Sequence, residues 1–142
     1  MNDLEKARQT LLSGDFTCVL CRKDELCTAT ARGVKPLVAW FESGKDFSGF
    51  SAADKVVGRA TAFLYVLLKV NAVYAKVMSH AALDVLKQNG IKAEYSELAE
   101  NIINRNGDGI CPFEAAVLET TNPCDAYMTI RSKMHQMNIT LD

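Results

Sequence analysis

The pattern of apolar and polar positions predicts short helices and strands from the beginning of the chain. Apolar residues recur at helical spacing from Leu4 to Leu12, and Gly14 is a typical helix end. Two short apolar runs follow at 16–21 and 25–31, separated by three charged residues. They are expected to pair as a β-hairpin. A short helix over 36–43 is then predicted, ended by Gly44.

The middle of the chain has the strongest apolar signal. Ser51-Ala-Ala-Asp54 resembles a capping box, with Asp in place of the usual Glu or Gln, and nearly every position from there to about Val70 is apolar. This pattern predicts a long helix buried on all sides, with Gly58 inside it against another backbone. Residues 72–78 are apolar except for Lys76, which is typical of a central parallel strand.

The remaining elements are predicted mainly from serine and proline start signals and from glycines at their ends. They are expected as a helix at 80–89, a strand at 91–95, and helices at 97–106, 111–119 and 122–135, followed by a tail at 136–142. Strands that alternate with helices after a leading hairpin predict one α/β domain over 1–142. Its expected architecture is a three-layer α/β/α sandwich around a mixed sheet with an N-terminal β-hairpin.

Charge and composition narrow the classes of partner. Lys and Arg total 16 against 17 Asp and Glu, for a net charge of −1. A near-neutral chain is a poor electrostatic match for nucleic-acid polymers or anionic membranes, so neither is expected as a partner. The longest uncharged apolar stretch, 60–68, is too short to cross a bilayer, and no signal sequence is evident. These features favour a cytoplasmic location.

The five cysteines are interpreted as reduced thiols, because their number is odd and no secretory signal accompanies them. Cys18 and Cys21 have the spacing of a metal or redox pair. They lie in a predicted strand, however, where positions three apart point to opposite faces. Both are therefore expected to be small core residues of the sheet.

Several segments together resemble a known family. They are Arg32-Gly-Val-Lys-Pro-Leu37, Asp54-Lys-Val-Val-Gly-Arg-Ala60 with Phe63-Leu-Tyr65, Val73-Tyr-Ala75 and Cys111-Pro-Phe-Glu114. With the element order, they are similar to a small uncharacterised prokaryotic family of the cytidine deaminase-like superfamily. The resemblance covers nearly the whole chain and implies the cytidine deaminase-like fold. It implies no particular reaction.

The zinc chemistry of deaminases can be tested on the sequence directly. Those enzymes need H-x-E or C-x-E at one helix start and P-C-x-x-C at the next. The expected helix starts here read Ser51-Ala-Ala-Asp54 and Ser79-His-Ala-Ala82, and neither supplies the ligands. Pro123-Cys-Asp-Ala-Tyr127 has Tyr in place of the second thiolate. We therefore expect no metal, no cofactor and no zinc-dependent deamination.

Candidate site residues cluster at the predicted helix starts. Asp54 and Lys55 could bind or activate a polar substrate, although Asp54 could equally be a helix-start acid and Lys55 a solvated cation. Ser79 and His80 are expected to face them across a cleft. There His80 could serve as a base, while the simpler interpretations are a capping Ser79 and a surface His80.

Cys111 is the candidate nucleophile, because a helix start next to Pro112 favours a thiolate. A capping residue or an inert thiol would fit the same position. Glu114 falls where it could reach back to the helix start. Three residues after the hairpin form a candidate anion site with an equally simple structural explanation, a turn with solvated cations: Arg32, Gly33 and Lys35.

Two functional hypotheses follow. The first is a domain that binds a small polar, nucleotide-like ligand and acts as a thiol-dependent transferase or hydrolase, with Cys111 as nucleophile, His80 or Asp54 as base and Lys55 stabilising negative charge. The second is a non-catalytic interaction or sensor protein on the same scaffold. Homo-oligomerisation is compatible with either. The sequence names neither the ligand nor the reaction.

Overall fold

The fold is known from a computed structural model, which describes residues 1–103, 106–107 and 109–141. It is of the α/β class, with a five-stranded mixed sheet. The helices are α1 (Asp3–Ser13), α2 (Lys35–Glu42), α3 (Arg59–Leu68), α4 (His80–Gln88), α5 (Pro112–Ala116) and α6 (Pro123–Gln136). The strands are β1 (Cys18–Arg22), β2 (Glu25–Ala29), β3 (Ser51–Val57), β4 (Ala72–Ser79) and β5 (Lys92–Ala99).

The strand order is β2-β1-β3-β4-β5. Strand β1 is antiparallel to both β2 and β3, whereas β3, β4 and β5 are parallel. The carboxyl ends of β2, β3, β4 and β5 therefore meet at one edge of the sheet, which we call the carboxyl edge. In α/β sheets this is where ligands usually bind.

Apolar side chains cover the two faces of the sheet unequally. Helices α2 to α6 contribute to a large cluster on one face, which includes Leu37, Leu64, Leu86 and Ile130. On the other face, α1 packs against residues of β1, β3 and β4 to form the small cluster. Cys18 belongs to the large cluster and Cys21 to the small one, as strand alternation predicts, and both thiols are free.

Several predicted elements are confirmed. Asn2 caps α1 by accepting a hydrogen bond from the Glu5 amide at 2.8 Å, and the hairpin forms at β1 and β2. Helix α2, strand β4 and helix α6 lie within about one residue of their predicted ranges. Ser79 caps α4 as expected, with its Oγ accepting from the Ala82 amide at 3.0 Å.

The long helix predicted from Ser51 to Val70 is wrong. Residues 51–57 form β3, which pairs with β1 and β4, and α3 begins only at Arg59. A buried strand followed directly by a buried helix gives a continuous apolar run, which periodicity alone cannot divide. Gly58 consequently lies at the N-cap of α3, and the nearest group to it is the Glu114 side chain instead of another backbone.

The helix predicted at 97–106 is also wrong over its first residues. Strand β5 continues to Ala99 because β4 offers it a partner along its whole length. Positions 104 and 105 of that prediction lie outside the described residues. Helix α5 ends at Ala116, earlier than expected. In the predicted tail, Ile139 and Leu141 pack against the large cluster. No helix of the described part is long and apolar enough to cross a membrane.

Candidate functional site

The carboxyl edge brings two helix starts together. Val57 at the end of β3 is in register with Met78 of β4, and each strand leads directly into a helix. The N-terminus of α3, at Arg59, and that of α4, at His80, therefore follow neighbouring strands of the sheet. Such strands are about 5 Å apart. Free backbone amides at both helix starts face this edge.

A carboxylate from a distant part of the chain already occupies the start of α3. The Arg59 amide donates to Glu114 Oε1 at 2.6 Å, and the Ala60 amide donates to Oε2 at 2.8 Å. The contact satisfies two of the four free amides of the helix start and places a negative charge at its positive end. A Cβ at Gly58 would lie 2.5 Å from the carboxyl carbon of Glu114. Glycine at this position thus leaves the space that the carboxylate fills.

The Arg59 side chain contacts the residues that follow Glu114 in the chain. Its Nε donates to the carbonyl oxygen of Val117 at 3.2 Å, and its Nη2 donates to that of Thr120. We call residues 111–120 the closing segment. At its beginning, the Cys111 amide donates to the Ile102 carbonyl at 2.9 Å. The Glu114 side chain of the closing segment therefore binds backbone amides of α3, and the Arg59 side chain of α3 binds backbone carbonyls of the closing segment.

Cys111 is the N-cap residue of α5, and its side chain makes no capping hydrogen bond. The thiol is partly buried against the large apolar cluster. Helix α5 has only five residues, fewer than the nine predicted. The position at the beginning of the closing segment is the stronger reason to consider Cys111.

Ser79 and His80 lie at the carboxyl edge, but Asp54, which they were expected to face across a cleft, is buried against Tyr65 of α3. Ser79 is buried and its oxygen is engaged by the helix cap. His80 is exposed, and its Nε2 lies 3.8 Å from Glu100 Oε1. Of the two, His80 is the side chain that a bound molecule could reach.

Asp54 is 8 % exposed and points into the large cluster, away from solvent. Its Oδ2 accepts a hydrogen bond from the Tyr65 hydroxyl at 2.7 Å, and its Oδ1 accepts from the Val56 amide at 3.3 Å. The Cys18 sulfur lies 3.0 Å from the same hydroxyl oxygen. Because the single hydroxyl proton of Tyr65 is directed at Asp54, the Cys18 thiol is the donor in that contact. We call Cys18, Tyr65 and Asp54 the buried triad.

Burial controls the protonation of the triad. Desolvation raises the pKa of Asp54 to about 6, and the hydrogen bonds from Tyr65 and the backbone limit that rise. Burial, then the Asp54 charge, raises the pKa of Cys18 well above its usual value, and the pKa of Tyr65 rises for the same reasons. Cys18 and Tyr65 therefore stay protonated, and Asp54 is the member of the triad that titrates.

Lys55 does not share a site with Asp54. The two residues are consecutive in β3, so their side chains leave the sheet on opposite faces. Asp54 faces α3, and Lys55 is exposed on the face that carries α1. The acid–lysine pair inferred from sequence depended on a helix start that is a strand.

The residues after the hairpin reach the same edge but lie farther along it. Gly33 has φ +71°, a left-handed conformation that glycine adopts without strain. Arg32 is exposed and Lys35 begins α2. They follow β2, which is separated from β3 by β1. No hydrogen bond or ion pair of the described residues joins them to Cys111 or Glu114.

Sequence reasoning missed two residues that shape this region, Tyr65 and Arg59. Tyr65 could have been found only after β3 was recognised, since Asp54 faces α3 only as a strand residue. Arg59 contacts backbone carbonyls about sixty positions away, which no local spacing indicates. Among the described residues, no three His, Cys, Asp or Glu side chains are grouped so that they could hold a metal ion.

Comparisons with known proteins place the chain in a family. Among solved structures, it is similar to the crystal structure of a DUF1893 family protein from Thermotoga maritima, at 27 % identity and a TM-score of 0.84. The similarity covers 92 % of this chain and 89 % of that one. A search of curated proteins found no match. Residues 6–134 match the family described as a domain of unknown function, DUF1893, and the chain belongs to that family.

Proposed function

We propose that the protein binds a small anionic ligand at the carboxyl edge, on a three-layer α/β/α scaffold of the cytidine deaminase-like kind. The observation that carries this proposal is the Glu114 carboxylate on the Arg59 and Ala60 amides. This helix start accommodates a two-oxygen anion next to Gly58, and a ligand phosphate or carboxylate has the same hydrogen-bonding requirements. The ligand would take the position of the Glu114 carboxylate.

The exchange requires the closing segment to move. Glu114 would leave the α3 amides while the contacts of Arg59 with Val117 and Thr120 weaken. His80, on the neighbouring helix start, would lie beside the entering ligand, and Cys111, at the beginning of the closing segment, would become accessible. Arg32 and Lys35 favour an anion approaching along the same edge.

Thiol chemistry at Cys111 extends the proposal. With a ligand that carries an acyl group, the Cys111 sulfur would form a thioester bond to the acyl carbon as the leaving group departs. The thiol proton would pass to His80 and from there to the leaving group. Attack by water on the thioester would release the acid and restore the thiol. Binding without this step is the non-catalytic alternative, which the same scaffold supports as a sensor.

The test compares wild type with Glu114→Ala in calorimetric titrations with inorganic phosphate, succinate and adenosine monophosphate. We expect at least one anion to bind, and to bind more tightly to Glu114→Ala, because its competitor is gone. Glu119→Ala is the matched control, since Glu119 is an exposed acid of the same segment. The proposal fails if none of the probes binds either protein, or if Glu114→Ala and Glu119→Ala behave alike.

A further inference from the structure

The sheet face that carries α1 is only partly covered. Helix α1 packs its apolar residues against β1 and the first halves of β3 and β4, through Val19, Ala53 and Tyr74. Beyond these positions, the exposed strand residues are Lys55, Val56, Lys76, Tyr95, Ser96 and Glu97. In the described part of the chain, β3, β4 and β5 are thus open to solvent at this level, whereas Val57 and Met78 beyond it are buried.

Lys55, Lys76 and Ser96 lie at one level of the sheet. Asp54, Ala75 and Tyr95 are aligned on the three strands, and Val56, Val77 and Glu97 are aligned two positions later, whereas the pairing is interrupted between them. Asp54 contacts Tyr65 of α3, and Ala75 belongs to the large cluster, so the lysines that follow them leave the sheet on the face that carries α1.

A third cation borders this row. The Arg8 guanidinium of α1 lies 4.6 Å from the ring centroid of Tyr74, and the Tyr74 hydroxyl contacts Ser96 Oγ at 2.5 Å. We call Lys55, Lys76 and Arg8 the basic row. It lies at the boundary between the covered and the open parts of the sheet.

The basic row is not neutralised within the described residues. No carboxylate there lies within 4.0 Å of Lys55, Lys76 or Arg8, whereas Lys45 and Lys92 each contact a glutamate. Exposed cations on one face of neighbouring strands give that face a local positive charge that an anionic partner would match, although the net charge of the whole chain is −1.

We propose that the basic row docks an acidic peptide segment of a partner protein. The surface is an open, twisted strand face, and it offers separate cations instead of a continuous positive groove. Glu94, on the same face of β5 and paired with Lys92 at 3.2 Å, would repel a uniform polyanion such as RNA. Carboxylates spaced along an extended peptide can meet the lysines and avoid Glu94. This inference is independent of the ligand proposed at the carboxyl edge.

The test is a titration of the isotope-labelled protein with a short blocked peptide of alternating Glu and Ser, followed by amide NMR shifts. The matched peptide replaces each Glu by Gln. Lys55→Gln/Lys76→Gln is the test variant, and Lys87→Gln/Lys133→Gln, on α4 and α6, removes the same charge elsewhere. A thermal melt of both variants checks that they fold.

We expect the Glu peptide to shift the amides of residues 55, 76 and 96, with the shifts diminishing as salt is added. Lys55→Gln/Lys76→Gln should lose this response, and Lys87→Gln/Lys133→Gln should keep it. The inference is overturned if the Gln peptide gives equal shifts, if both variants respond alike, or if the row shows no shifts. Tighter binding of single-stranded RNA to the same row would also overturn it, since the partner would then be a nucleic acid.

Discussion

The Tyr65 hydroxyl donates a hydrogen bond to Asp54, with 2.7 Å between Oη and Oδ2, inside a cluster that is otherwise almost entirely apolar. The same hydroxyl accepts from Cys18, so three polar side chains from β1, β3 and α3 satisfy one another. No buried side-chain nitrogen or oxygen of the described residues lacks a partner. Such a network is stable only as a unit, because removing one member leaves the others unsatisfied.

The first prediction concerns pH. Burial raises the pKa of Asp54 to about 6 in the folded protein, above the ordinary value of about 3.9 in an unfolded chain. The folded state therefore binds this proton more tightly. The resulting stability is fully present below about pH 4 and is lost as pH rises through about 6, a change on the order of 3 kcal/mol.

Urea unfolding at about pH 5 and about pH 8 measures roughly half of this effect, about 1.4 kcal/mol. Asp54→Asn has no titrating group at this position, so its stability should change less between the two pH values than that of wild type. Equal changes in the two proteins would show that Asp54 does not carry the pH dependence.

The second prediction concerns Tyr65→Phe. The substitution removes the acceptor for the Cys18 thiol and the donor to Asp54, and it should cost about 1–3 kcal/mol in the free energy of unfolding. Tyr127→Phe is the matched control, because the Tyr127 hydroxyl contacts Glu42 at the protein surface and should cost less. In Asp54→Asn the cost of Tyr65→Phe should change, since contacting residues are not additive. Strict additivity in this double-mutant cycle would contradict the triad.

The third prediction concerns Gly58→Ala. The added Cβ would stand 2.5 Å from the Glu114 carboxyl carbon, so the Glu114 side chain must move away and lose its hydrogen bonds to the α3 amides. We expect a loss of about 1–3 kcal/mol in thermal or urea unfolding. When Glu114 is first changed to Ala, the same glycine substitution should cost much less. A full cost in the Glu114→Ala background would mean that some other group crowds Gly58.

The fourth prediction concerns the accessibility of Cys111. Glu114→Ala should release the closing segment and increase the rate at which a small alkylating reagent modifies Cys111, as mapped by mass spectrometry. Cys124 is exposed and outside the segment, so its rate serves as the internal control. Cys18 should stay unmodified in both proteins, because it is buried and protonated. An unchanged Cys111 rate would show that Glu114 does not restrain the segment.

The sequence predicts much of the fold where turns are marked by charged residues, glycine or proline. The hairpin, α2, β4, the Ser79 cap and α6 all have such local signals. Between Ser51 and Val70 no residue marks the change from strand to helix except Gly58, which fits a buried helix equally well. That one misassignment put Asp54 and Lys55 at a helix start and hid both the buried triad and the basic row.

For the candidate site, the sequence indicated the part of the chain better than the contacts. His80, Cys111 and Glu114 were selected as residues of helix starts, and they do lie at or beside the carboxyl edge. The sequence could not indicate that Glu114 caps α3 instead of its own helix. That contact joins residues more than fifty positions apart, and it depends on the tertiary packing of the closing segment.

In the proposed function, Glu114 occupies the position of an anionic ligand on the α3 amides. Amide NMR spectra of wild type and Glu114→Ala, each titrated with inorganic phosphate, test this. We expect shifts at the amides of Arg59 and Ala60 in both proteins, saturating at lower phosphate in Glu114→Ala. Arg59 and Ala60 amides that stay unmoved in Glu114→Ala up to saturating phosphate, or that respond at the same concentration in both proteins, would contradict it.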